Sequence, residues 1–400
     1  MLEKPLQLPC GATLKNRLVK SAMSDSLGNG AGSPTPEQIR LYERWAQGGV
    51  ALAIIGEVQT DPRYPEKPGN LVLTPDTELD SFENLARKGT LNGAHLWAQL
   101  GNAGALAYPP VSAPKGPSAL ALDGLECAQM SCEDILQTPR AYAASAKRAK
   151  EAGFSGVQIH AAHGFLLSQF LSPLFNKRTD DYGGDIANRM RIVFEITRAV
   201  REAVGESFPV GIKINASDQL VGGLDERDAL EAVRMLDGTS IDLIDISAGT
   251  YFPGAQNTSD TVRASGPYFT DFAARARAVT GIPVMATGGF RTRGHAIEAL
   301  EQKQVDAVGL ARAMVLDVNL ANKWLAGGDD SQFPVFERPP PGGVTAWYTM
   351  RLTALARDEE NEFRLTPEQA LEAYEARDRQ RCGTWRKKFS KNETRCDMMP

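Results

Sequence analysis

The sequence predicts an α/β fold: a (β/α)8 TIM barrel with a loop insertion after strand three and a C-terminal helical extension. Three observations predict it. Short apolar runs ending in small or polar residues recur eight times, and amphipathic stretches with helix signals lie between them. The first run leads into SDSLGNGAG, without the GxGxxG turn that an open, doubly wound sheet would more often carry there.

The eight predicted strands are LVKSAM (18–23), VALAIIGE (50–57), AHLWAQL (94–100), GVQIH (156–160), VGIKIN (210–215), IDLIDIS (241–247), IPVMATGG (282–289) and DAVGLA (306–311). Helix one is announced by Thr35-Pro36-Glu37-Gln38, where a Thr N-cap, a Pro at the first helical position and a Gln completing a capping box coincide. Further helices are expected over 76–88, 138–152, 188–204, 225–237, 269–279 and 293–302. Alternation at this spacing requires parallel strands, and eight of them favour a closed barrel. Residues 101–137, rich in Ala, Pro and Gly, read as an insertion too irregular for helix or strand. Past PPPGG (339–343) the chain changes character and restarts with the capping box Thr366-Pro367-Glu368-Gln369. The expected organisation is therefore a barrel over 1–335 and an extension over 336–400, packed on the barrel or on a neighbouring subunit.

Composition narrows the class. Of 400 residues, 42% are hydrophobic and 23% charged, as in a globular chain with a large core. A net charge of −5 with mixed signs provides no basic face for a nucleic acid. The cysteines Cys10, Cys127, Cys132, Cys382 and Cys396 are odd in number and irregularly spaced, which fits a reducing compartment. MLEKPLQLPCG lacks the apolar run of a signal peptide, and no stretch reaches membrane-spanning length. A cytoplasmic protein is expected.

The strand period of two places Val210, Ile212 and Ile214 on one face and Gly211, Lys213 and Asn215 on the other. Lys213 then points into the barrel, where an ammonium needs a partner: either a ligand or an internal ion pair. By the same rule Gln158 and His160 face inward, and His160 lies at the C-terminal strand end, where barrel active sites are built. His163 follows three residues later, whereas His95 and His295 read as structural. The spacing HAAH also suits two metal ligands, although no carboxylate or Cys stands within the motif to complete a site. Gly288 and Gly289 after strand seven and Arg312 past strand eight would suit a phosphate.

The segment HAAHGFLLSQFLSPLFNKRTDDYGGDIANRMR (160–191) resembles the signature of the old yellow enzyme family of FMN-dependent ene-reductases, also known as NADH:flavin oxidoreductases. LKNRLVKSAMS (14–24), QLGNAG (99–104), IKINASD (212–218), TGGF and GLAR match it in barrel order, so the resemblance covers residues 5–335. It implies FMN across the C-terminal mouth, with NADH or NADPH as hydride donor. Ala22, Met23 and Ser24 would line the flavin, with Ser24 in place of the family's Thr or Cys; Gln99 would bind its pyrimidine edge. Lys213, often Arg in the family, would offset charge near flavin N1, and Gly288, Gly289, Ala311 and Arg312 would hold the phosphate. Glu57 falls where the family commonly has a small residue.

The resemblance further implies that His160 and His163 grip the carbonyl or nitro oxygen of an electrophilic small molecule, an electron-poor alkene of the enone type that takes the hydride, and stabilise charge growing there. Phe165 stands where the family usually has the Tyr that protonates the α-carbon, and Tyr251 lies on a later mouth loop. Water or a mouth residue, with Tyr64, Tyr108 and Tyr251 as candidates, would then protonate, or the acceptor would be a quinone or nitro compound needing no such step. Tyr182 and Arg189 are assigned to structure, and Trp347 and Tyr348 to the core of the tail. Two other readings stand beside the oxidoreductase: a flavin-binding barrel that has lost ene-reduction, and a metal-dependent hydrolase or lyase using His160 and His163. A homo-oligomer agrees with the resemblance. Loops 101–137 and 250–268 would set the substrate.

Overall fold

The computed structural model describes residues 1–122, 124–254 and 266–390. Eight parallel strands form the barrel: β1 (Leu18–Lys20), β2 (Leu52–Gln59), β3 (His95–Gly101), β4 (Gly156–Ala161), β5 (Val210–Asn215), β6 (Leu243–Ser247), β7 (Val284–Thr287) and β8 (Ala307–Leu310). Each pairs with its sequence neighbour, and β1 pairs with both β8 (Val308 beside Leu18) and β2 (Val19 beside Leu52), which closes the cylinder. All eight lie within the predicted runs or within two residues of them.

The strand period sorts side chains as expected. Val157, Ile159, Val210, Ile212 and Ile214 join the apolar layer between strands and helices. Inside, Val19, Leu52, Ile54, Trp97, Leu243, Met285 and Ala307 fill the N-terminal end, and Leu6, Leu8 and Leu14 of the hairpin Leu6–Gln7/Thr13–Leu14 plug it. Gly156 and Gly211 make room for the Trp97 indole; a Cβ on them would come within 2.3 and 2.9 Å of its ring.

The outer helices include α1 (Pro36–Gln47), capped by the Thr35 side chain as predicted, α2 (Asp80–Gly89) and α3 (Cys132–Glu151). α3 begins six residues before its predicted start. Its true signal is the capping box of Ser131 and Asp134, whereas Thr138-Pro139 imitates a helix start inside it, with the Thr138 hydroxyl donating to Asp134 O (2.9 Å). The insertion also differs from its expected irregularity, because Lys115–Gly116, Leu120–Leu122 and Leu125–Gln129 form a small three-stranded sheet. Backbone pairing there depends on neighbours in space, which Ala- and Pro-rich composition hides.

After β4 come α4 (Leu166–Leu171) and α5 (Ile186–Val204), then α6 (Glu226–Leu236), α7 (Thr270–Arg277), α8 (Arg293–Glu301), α9 (Arg312–Leu316) and α10 (Leu320–Leu325). The extension supplies α11 (Gly343–Ala356) and α12 (Pro367–Phe389), the latter started by the predicted Thr366/Gln369 capping box. Arg381, Trp385 and Arg386 of α12 donate to the carbonyls of Ser26 (2.7 Å), Pro62 (3.1 Å) and Pro110 (2.6 Å), so α12 lies against loops of the C-terminal mouth. Tyr348 is buried in the core and Trp347 packs beside it, its indole donating to Leu365 O at 2.9 Å. Among the described residues, no helix is long and apolar enough to cross a membrane.

Candidate active site

Above the apolar plug the barrel interior turns polar. Lys213, 1% exposed, reaches Asp245 on β6 at 2.8 Å, so the internal ion pair left open by the sequence is present. Asp245 also accepts from Gln158 (3.2 Å) and Thr287 (2.8 Å), Gln158 accepts from Gln99 (2.7 Å), and Thr287 meets Ser21 at 2.8 Å. Gly309 leaves space for that last pair, since a Cβ there would lie 2.2 Å from the Thr287 hydroxyl. Asp245 carried no role in the sequence reading, yet IDLIDIS has the period that sends it inward with Ser247.

The next layer is the mouth. Register sets His160 of β4 beside Lys213 of β5, and both are buried. The Ala162 backbone N–H donates to His160 Nδ1 (3.3 Å), leaving the ring proton on Nε2, which lies 3.3 Å from Glu57 Oε1. His163 Nε2 meets Ser247 Oγ at 2.8 Å, and its backbone N–H donates to Asn215 Oδ1 (3.1 Å). Asn215, which faces inward as the strand period requires, also donates to Gly249 O (2.9 Å) and so ties the His163 turn to the loop after β6. The two imidazoles pack edge to face with centroids 5.2 Å apart; the Phe165 ring stands 5.1 Å from His160, and the largely exposed Tyr251 6.1 Å from His163.

Electrostatics at this layer favour neutral forms. Burial first, then the Lys213 charge, lowers His160 to about 3, and burial, then His160 and Lys213, holds His163 well below the usual imidazole range. Burial raises the Glu57 carboxyl to about 8 against the pull of Gln59 and Lys213. Both imidazoles are thus uncharged hydrogen-bonding groups at neutral pH.

The remaining candidates fall at the same end of the barrel. Ala22 and Met23 follow β1, with Met23 packed so closely on Gly56 that a Cβ there would come within 2.4 Å of its backbone. Ser24 donates to Glu66 Oε2 at 3.0 Å. Gly288 and Gly289 have φ of +134° and +80°, and a Cβ on Gly289 would lie 2.2 Å from Gly266 O, so both positions require glycine. Ala311 caps α9, and the Arg312 guanidinium stacks over Tyr348 of α11 at 5.0 Å. Register places Thr287 beside Gly309, bringing the glycine pair and Arg312 to adjoining strand ends.

His95 sits at the opposite end, at the start of β3, and His295 on α8. Tyr182 donates to Glu195 at 3.1 Å, and Arg189 forms an ion pair with Asp228 and donates to Leu171 O. Among the described residues, no three His, Cys, Asp or Glu side chains are arranged to hold a metal ion. Residues 255–265 of the mouth loop and Cys396 lie outside the described residues.

With this geometry in place, comparison with known proteins is decisive. The profile of the NADH:flavin oxidoreductase / NADH oxidase family matches residues 1–330. The chain belongs to that family. Members of that family work with FMN and draw hydride from NADH or NADPH. It is 34% identical over 357 residues to the NADH-dependent flavin oxidoreductase iliE of Neonectria sp., covering 78% of this chain and 45% of the relative. The chain therefore spans under half of that protein's length. It is 32% identical to iliE of Hypocrea jecorina (77% and 84% covered) and 33% identical to the NADPH dehydrogenase of Bacillus licheniformis (77% and 89%). Among solved structures, 2-naphthoyl-CoA reductase gives a TM-score of 0.77 at 24% identity, covering 82% of this chain and 52% of that one. The old yellow enzyme homologue from Zymomonas mobilis gives 0.72 at 22% identity, covering 87% and 98%. At these identities the likeness speaks for the barrel alone.

Proposed function

We propose that the chain is an FMN-dependent oxidoreductase that takes hydride from NADH or NADPH and passes it to an activated alkene of the enone type, or to a related electrophile such as a quinone or nitro compound. One observation carries this reading: the imidazoles of His160 and His163 stand together at the C-terminal mouth, with His160 level with the buried Lys213 and two strand residues beyond the buried Gln99–Gln158 pair.

The residues present fit the cofactor. Gln99 and Lys213 offer buried N–H groups to a pyrimidine edge, Ala22, Met23 and Ser24 form the rim above β1, and Gly288, Gly289, Ala311 and Arg312 offer backbone and guanidinium donors to a phosphate. Bound there, FMN supplies the two-electron relay between nicotinamide and acceptor. The chain's own part is to bind and orient the acceptor. Uncharged imidazoles donate to an oxygen without the desolvation cost of a cation, and their hydrogen bonds strengthen as negative charge grows on that oxygen. Phe165 and Tyr251, with ring centroids 5.8 Å apart, would flank the acceptor side. The 1–335 barrel would hold the chemistry, while α11 supports it through Tyr348 under Arg312.

Anaerobic stopped-flow mixing of the yellow protein with each nicotinamide, then with a panel of enones, quinones and nitro compounds, tests the reading. Bleaching by NADH or NADPH followed by return of colour with an enone or quinone is expected. A preparation that stays colourless after incubation with FMN refutes it.

A further inference from the structure

Reduction of the acceptor needs a proton as well as a hydride, and Phe165 has none to give. The structure places an acid elsewhere. Glu57, 5% exposed, stands at the bulge of β2, where pairing with β3 shifts between Ile55 and Val58, and its φ of +60° is uncommon for a residue with a side chain. This strained turn sends the carboxyl to the imidazole: Oε1 lies 3.3 Å from His160 Nε2, while Oε2 faces the open α-carbon of Gly101, 3.4 Å from where a Cβ would be. Behind Glu57 runs a polar chain. Gln59 Nε2 approaches Oε2 at 3.5 Å and donates to Asn70 Oδ1 (3.2 Å), Asn70 donates to Glu66 Oε2 (3.2 Å), and Ser24 donates to the same oxygen (3.0 Å). The buried Gln59 Oε1 has no protein partner, which leaves an acceptor open within the chain.

We propose that Glu57 delivers the proton that completes acceptor reduction, oriented by the Nε2–H of His160 and backed by the chain through Gln59, Asn70 and Glu66. The inference rests on the oxidoreductase reading above. As the hydride equivalent from the reduced cofactor forms a new bond to the electrophilic carbon, an electron pair shifts toward the acceptor oxygen. The O–H bond of Glu57 then breaks, its proton forms a bond to that oxygen or to the α-carbon, and the carboxylate left behind regains a proton from water. The nicotinamide loses two electrons, the acceptor gains two, and one proton is consumed. His160 orients the acid through its one N–H, which leaves the acceptor oxygen to His163, and neither ring changes charge.

The groups around Glu57 are Lys213 on β5 with Asp245 behind it, His160 and His163 at the end of β4, Tyr142 on α3 and Glu66 on the loop after β2. Burial keeps the imidazoles titrating far below neutrality and pushes the Tyr142 phenol up, while burial raises Glu66 with help from the Glu57 charge. Lys20, lowered to about 7, faces Tyr42 and Trp45 outside the barrel instead. Glu57 itself keeps its proton up to about pH 8, so donation is steady below that point and fails above it.

The experiment compares wild type with Glu57→Gln and Glu57→Asp. Flavin-loaded enzyme is reduced by dithionite and mixed with an enone across pH 6–10; in parallel, infrared difference spectra of the unloaded proteins follow the C=O stretch of a protonated carboxylic acid. Glu57→Gln is expected to slow reoxidation by roughly 10²-fold, to lose the fall in rate above pH 8 and to lose a carboxylic acid band present at pH 7. Glu57→Asp keeps an acid and recovers the alkaline fall with part of the rate. Reoxidation of Glu57→Gln at the wild-type rate and with the wild-type pH profile overturns the proposal, as does an infrared spectrum at pH 7 that the substitution leaves unchanged. If no acceptor reoxidises the wild type, the oxidoreductase reading of the site fails; if the wild type turns over and Glu57→Gln matches it, only the role of Glu57 fails.

Discussion

The two ends of the barrel interior are built from the same eight strands and differ in almost everything else. At the N-terminal end Trp97, Leu243, Met285 and Ala307 pack without exposure, and the turns there place Asn92 and Lys303, two exposed residues, at positive φ. At the C-terminal end the positive-φ residues Ser26 and Glu57 are buried and His163 is partly buried, held by Asn215 and by bonding among mouth loops. Left-handed turns at the surface cost little and serve chain reversal. Buried ones, carrying an acid and an imidazole, persist only because the surroundings over-determine them, which is how strain marks a working site. One end secures the fold and the other spends stability on placing polar groups.

This contrast can be broken at either end. The largest effect is expected for Trp97→Ala, which empties the plug and should lower unfolding free energy by about 4–5 kcal/mol in urea titrations. FMN affinity of the folded protein should stay close to wild type; a large loss would mean that the plug also shapes the mouth. Lys213→Met should cost somewhat less, about 3 kcal/mol, since it strands Asp245 in the interior while Gln158 and Thr287 still donate to it. Unlike the first change it should also weaken FMN binding, measured by flavin fluorescence. Replacing Asp245 with Asn in the same chain should return part of the stability and none of the flavin affinity. The smallest effect is expected for Phe165→Tyr. Phe165 packs with Tyr64, Ala103 and Ala107, so an added hydroxyl costs on the order of 1 kcal/mol. With Glu57 supplying the proton, steady-state enone turnover should change little, and a clear rise would return the donor's role to this position.

Much of the site was legible in the chain. The strand period alone sent Lys213, Gln158 and His160 inward, and their contacts with Asp245, Gln99 and Glu57 across the interior agree. The same period in IDLIDIS pointed Asp245 at Lys213, a signal present but unused. Glu57 is a different case. Its direction depends on a bulge, and a bulge shifts the face of every residue after it without leaving a mark in local composition. Glu66 and Asn70 share the loop after β2, but Ser24 comes from the loop after β1, so nothing in the chain's spacing foretells that it meets Glu66.

By itself the sequence determined the eight strands, their order and their parallel sense, because these follow from periodicities of two and of 3.6 residues written along a single segment at a time. It also determined which strand ends carry imidazole, ammonium and paired glycines. Only the tertiary structure decided which of those groups meet: the ammonium answered by Asp245, His160 held against an acid from two strands away, and α12 laid on the mouth loops. Those contacts join residues far apart in the chain, and their energies depend on burial and distance, which exist only once the cylinder has closed.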